Sequence, residues 1–164
     1  MTHSTAQSIV VGSIVANLVV SNTVVRLLGL KSHSLSRYYE QLNMIAVCLD
    51  ITSVTWGVLL AQHILSHRHT EIYKVLAVSI AVQVLHDVCF AMWIRRSTSQ
   101  RQTIRLFQSY AREHGTWILL IDALIMTVAV LVSRVLSNTN MSARGVTLTM
   151  SFALYVHLLF LDGL

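Results

Sequence analysis

The sequence predicts an all-α protein: a polytopic transmembrane bundle of about five spans, residues 1–164 forming one membrane-embedded domain, with one further amphipathic helix at the interface. Hydrophobic residues make up 54% of the chain and charged ones only 12%, about half the charge of an average soluble domain. The apolar residues are gathered in blocks long enough to cross a bilayer rather than spread in short core segments. None of these blocks alternates strictly, and in lipid only helices and closed barrels satisfy the backbone, so the blocks are read as helices.

The first expected span covers about 8–28 and is rich in valine, isoleucine and small residues, with Asn17, Ser21 and Asn22 inside and Arg26 near its end. A polar connection follows from Lys31 to Gln41, where Tyr38 and Tyr39 suit an interfacial aromatic belt. The second span covers about 43–65 and contains Asp50. Beyond the short loop SHRHTE, the third covers about 72–94 and carries Gln83, His86 and Asp87 in an apolar run. Residues 100–114 place Ile104, Phe107, Tyr110 and Ala111 at helical spacing, with Arg101, Arg105 and Arg112 mostly elsewhere around the helix. That pattern predicts an amphipathic helix in the interface. The fourth span covers about 116–136 with Asp122 inside, and the fifth about 146–161 with His157. Between them, Asn140-Met141-Ser142 matches a glycosylation sequon, a short pattern that often arises by chance.

Charge gives orientation. Arg26, Lys31, Arg37, Arg95, Arg96, Arg101, Arg105 and Arg112 fall on one side, and Arg68, Lys74, Arg134 and Arg144 on the other. Basic residues in short loops mark the cytoplasm-equivalent side, so the arginine-rich loops and the C-terminus are expected there. The net charge of +5 is thereby explained by topology and anionic headgroups. Nucleic acid is not an expected partner, since no aromatic residues interleave with the arginines. The expected partners are the lipid bilayer, other membrane subunits and anionic lipid. Cys48 and Cys89 each fall within a span and form no CxxC pair, so both are expected as small buried apolar side chains. MTHSTAQ at the N-terminus lacks the basic residues of a cleavable signal.

Three acids share one depth. At about 1.5 Å of rise per residue, Asp50 lies about 10 Å in from the arginine-rich side, His86 and Asp87 about 11 Å, and Asp122 about 9 Å. Facing agrees. Ala46, Asp50, Ser53, Gly57 and Ala61 follow one another at spacings of three and four, a small-residue stripe that admits a close neighbour. Gln83, His86 and Asp87 share a face with Ser79 and Phe90, and Asp122 lines up with Gly115, Ala129 and Ser133. A charge at the bilayer centre costs at least about 2.5 kcal/mol, so Asp50, Gln83, His86, Asp87 and Asp122 are expected to meet as one intramembrane polar cluster.

Such a cluster has two chemical uses. It can hydrogen-bond the helices into register, at about 0.6 kcal/mol per link. It can also carry protons or cations, or hold a divalent metal, for which Asp50, His86, Asp87 and Asp122 are the candidate ligands. The structural use is the leading expectation, because loops this short leave little room for a catalytic site and no nucleophile elbow, phosphate loop or Glu-x-x-His pair occurs. No catalytic residue is expected, and enzymatic activity is the less favoured class. His63 and His67 are four apart but lack an accompanying acid or cysteine, which favours a solvated loop over a metal site. Tyr110, Arg112 and Glu113 are expected to make interfacial contacts. Glu113 beside Gly115 could pair with an arginine or cap the fourth span.

Gln83-Val-Leu-His86-Asp87, then Tyr110-Ala111, Glu113 and Gly115, then Asp122, resemble the pattern of a group of small polytopic membrane proteins of large algal DNA viruses and of algal and other protist genomes. The likeness runs from about Tyr38 to Ala129, and departs from that pattern in the linker, where RRSTSQRQ replaces a glycine-rich turn. The resemblance implies a helical membrane bundle with these polar residues inside it. It implies no activity.

Overall fold

The computed structural model describes residues 3–20, 33–42, 44–65, 71–99, 101–139, 145, 147–148, 150–152 and 154. Of these, 92% are helical and none lies in a strand. The helices are α1 (His3–Val19), α2 (His33–Leu42), α3 (Met44–Ile64), α4 (Ile72–Arg96), α5 (Gln102–His114) and α6 (Trp117–Ser137). Three of them, α3, α4 and α6, are long and apolar enough to cross a membrane, with 21, 25 and 21 residues against the roughly 20 that a bilayer core requires. The first expected span is described only as far as residue 20, and α1 is apolar but shorter, from Ala6 to Val19. The fifth expected span, about 146–161, falls mostly outside the described residues, as do Asn140 to Ser142 and His157.

Although short, α1 is covered on nearly every side. Ser8, Ile9, Val11, Gly12, Ser13, Ile14, Ala16 and Asn17 are all buried, as expected of a helix without a polar stripe. Ile9, Ala16 and Val20 share a core with Val54 and Val58 of α3 and with Ile125, Met126, Ala129 and Val130 of α6. Gly12 allows the closest approach. A methyl group there would run into Ser133 Oγ and lie 2.7 Å from the Ala129 carbonyl oxygen. The hydroxyls and amide on α1 find local partners. Ser13 Oγ donates to the Ile9 carbonyl at 2.9 Å and accepts from Thr55 Oγ1 at 3.0 Å, while Asn17 Nδ2 donates to the Ser13 carbonyl at 2.9 Å.

The connection expected to be irregular between Lys31 and Gln41 is helical from residue 33 onward, as α2. KSHSLSRYYEQ contains neither glycine nor proline to stop a helix, and Ser34, Tyr38 and Leu42 at i, i+4 and i+8 fall on one face. That face docks on α5 and α3. Tyr38 and Tyr39 are only 9% and 6% exposed and pack with Leu106, Ala46 and Val47. They therefore do not form the lipid-facing belt expected of them. Helix α5, expected at the interface, begins at Gln102, and its apolar side is likewise used by protein, with Leu106 buried and Phe107 against Tyr38 and Phe90. Together α2 and α5 form a two-helix cap over one end of the spans.

Ties from the middle and the end of α5 hold the cap. Gln108 Nε2, at the middle, donates to the carbonyls of Ile94 and Ser97 at the end of α4, both at 3.0 Å. At the C-terminal end Gly115 takes φ +52°, and its N–H bonds the Ala111 carbonyl at 3.3 Å. This left-handed turn redirects the chain into α6 and favours glycine. Glu113 has a use beyond the two expected of it: its Oε2 accepts the Ser34 N–H at 3.2 Å, so a carboxylate meets the positive end of α2.

The surface of the spans is apolar. Ile45, Leu49, Trp56 and Leu60 on α3, and Leu85, Val88, Met92 and Trp93 on α4, are exposed. Cys48 and Cys89 lie on these faces as free, exposed thiols, not buried as expected. An outward face in lipid is itself apolar, so a thiol fits there as readily as in a core.

Candidate functional site

The three acids sit beneath the cap in two settings. Asp50, on α3, has both carboxyl oxygens occupied: Tyr38 OH donates to Oδ1 at 2.9 Å and Tyr39 OH to Oδ2 at 2.8 Å. Neighbouring residues of one short helix thus grip a single carboxyl group on another. Ionised acceptors make hydrogen bonds worth about 1.5–3 kcal/mol each, well above a neutral pair.

Asp87, on α4, receives Gln83 Nε2 on Oδ1 at 2.8 Å, one helical turn away, and His86 Nδ1 lies 3.1 Å from the same oxygen. The Asp122 carboxyl of α6 lies close to Asp87. Asp87 Oδ2 is buried without a fixed donor. Gln83 is held over Gly57 of α3, where an added methyl would come within 3.8 Å of its Oε1 and collide with Met126 Cε. A missing side chain on α3 therefore lets α4 and α6 meet at this level. Ser79, two turns from Asp87 on the same side of α4, is fully buried and its Oγ has no partner.

Tyr110 of α5 links the two settings. Burial, reinforced by the nearby carboxyls of Asp122, Asp50, Asp87 and Glu113, holds its phenol above the usual tyrosine range. It thus lies within the field of all three intramembrane acids, as a part of the cluster and not only an interfacial contact. An aromatic path runs alongside. Tyr39, Tyr38, Phe107 and Phe90 touch in succession at ring separations of 5.1, 5.6 and 5.2 Å, and Phe90 also stacks on His86 at 6.1 Å.

Of the expected cluster, Gln83, His86, Asp87 and Asp122 come together, while Asp50 is engaged by tyrosines from the cap. His86 does not point inward with Gln83: its side chain is 56% exposed, against 12% for Asp87. The metal expectation gains no support, because no three His, Cys, Asp or Glu side chains are grouped to hold an ion among the described residues. Asp50 is engaged by the two phenols, and His86 turns its Nδ1 edge to Asp87. His63 is exposed at the end of α3, and its expected companion His67 lies outside the described residues. Arg112 is exposed on α5. Tyr38 and Tyr39 were not expected as partners of Asp50, though the i, i+4, i+8 spacing of Ser34, Tyr38 and Leu42 carries the signal. Comparison with protein-family models, with curated proteins and with solved structures finds no match for this chain.

Proposed function

We propose that this chain is a structural or accessory subunit of a membrane assembly, with its intramembrane acids clamping the cap to the spans. The observation that carries this reading is the double engagement of Asp50 by Tyr38 and Tyr39. A carboxyl group held on both oxygens by phenols of another helix is a latch. The bundle lies with the arginine-bearing cap on the cytoplasm-equivalent side, in keeping with the bias of its loops. The test replaces both phenols, Tyr38→Phe with Tyr39→Phe, and reads thermal stability and proteolysis of α2 beside proton and cation flux in liposomes. Stability falls and α2 becomes cleavable, while flux stays at the level of protein-free vesicles. Flux that the wild type supports and the variant loses would overturn this reading.

One observation favours a second reading, a proton- or cation-handling protein working through Asp50, His86, Asp87 and Asp122. Asp87 and Asp122 lie side by side, and the half-exposed imidazole of His86 adjoins Asp87 at 3.1 Å. On this reading Asp87→Asn with Asp122→Asn abolishes a pH-dependent flux. On the first reading the same pair of changes alters only stability.

A further inference from the structure

We propose that the outer face of α5 is a binding site for anionic phospholipid headgroups. The inference rests on the chain spanning a membrane, and the arrangement of α5 carries it beyond that reading. Arg101, Arg105 and Arg112 are exposed. At 100° per residue they fall within about 40° of one another, as a stripe about 16 Å long. The opposite side of the helix is spent on protein through Leu106 and Phe107, while Gln108, beside the arginines, ties α5 to the end of α4. So α5 does not hold its place by sinking an apolar face among acyl chains, the usual arrangement for an interfacial helix. Its orientation is fixed from within the molecule, and the arginines are presented outward as a rigid row.

Chain connectivity sets the level of that row. α4 ends at Arg96 and α6 starts at Trp117, both of them spanning helices. Arg101 is five residues beyond the first, a reach of about 18 Å at most. Arg112 is five residues short of the second. Both ends of α5 are therefore pinned to places where the chain leaves the bilayer, which puts the stripe at headgroup level. Arg95 and Arg96, also exposed, extend the positive surface at the end of α4. A row of cations at the height of phosphates, on a helix that cannot roll, complements a negatively charged leaflet.

The experiment places the full chain in nanodiscs of phosphatidylcholine with and without phosphatidylglycerol. It then counts by native mass spectrometry the lipids that stay bound after transfer to mild detergent. The wild type retains phosphatidylglycerol in preference to phosphatidylcholine. That preference falls roughly five-fold for each of Arg101→Gln, Arg105→Gln and Arg112→Gln, as about 1 kcal/mol per arginine near an anionic surface requires. Arg134→Gln, at the far end of α6, leaves it unchanged. Equal preference in the triple variant and the wild type, or an equal loss from Arg134→Gln, overturns the site. Should the triple variant misfold, the wild type decides. In about 1 M salt, where charge is felt over only about 3 Å, its preference must collapse, and persistence overturns the site. Alkaline carbonate extraction is run in parallel. A chain released from vesicles refutes the membrane reading itself, whereas a chain that stays and shows no preference refutes only the lipid site.

Discussion

The joint between α1 and α6 and the joint between the cap and the spans are built on opposite plans. At the first, small residues do the work: Gly12 lies against Ala129 and Ser133, and polar groups such as Ser13 and Asn17 mostly bond their own helix. At the second, bulky aromatic rings meet, and carboxyl groups accept bonds from a different helix. Environment explains the contrast. Lipid is as apolar as leucine, so around helices long and apolar enough to span it, such as α6, close contact and not hydrophobic burial must do the joining. The cap helices are amphipathic, with polar faces that suit water. There apolar burial and specific hydrogen bonds both have value.

This contrast can be broken at either joint. Gly12→Leu is expected to have the largest effect, a loss of about 3 kcal/mol or more, because the new side chain meets backbone that cannot yield. Reversible unfolding in mixed micelles, with α1 accessibility read by labelling, measures it. Asp50→Ala comes next. It strands two phenolic hydroxyls at about 1–3 kcal/mol each and should loosen α2 while leaving the α1–α6 contact intact, which proteolysis of the two regions separates. A smaller change, Gly115→Ala, costs about 1–2 kcal/mol through its left-handed backbone alone, since open space surrounds that position. Its effect on melting temperature should match that of any other β-carbon placed there, serine for example. The smallest is a pH effect at Tyr110. Folding raises this phenol above its ordinary 10.0, so the unfolded chain sheds the proton first. The stability contribution is complete below about pH 10 and is lost as pH climbs from there toward the folded value. Tyr110→Phe should flatten that alkaline decline in a pH series of unfolding midpoints.

Three apolar helices of bilayer length were readable in the residues for a simple reason. Apolar blocks of bilayer length need no tertiary knowledge, and at constant rise Asp87 and Asp122 must come out level if their helices cross in opposite directions. What the residues concealed depends on partners. Tyr38 and Tyr39 look like a belt for headgroups because a tyrosine serves water or protein equally well. Only the presence of α5 alongside turns them inward. His86 follows Gln83 by three positions and so shares its general side, yet the packing angle of α4 leaves the imidazole on the flank. The thiols erred for a related reason, since in lipid an apolar residue does not reveal whether it faces in or out.

One consequence concerns the order of assembly. α1 leaves the ribosome well before α6, the helix that carries the residues packed against Gly12. Until α6 arrives, α1, with Ser8, Ser13 and Asn17 along it, can meet α3 but lacks its tightest contact. Its docking is therefore completed only when α6 is made: nascent chains cut off before Thr116 should leave α1 open to modification that chains carrying α6 resist.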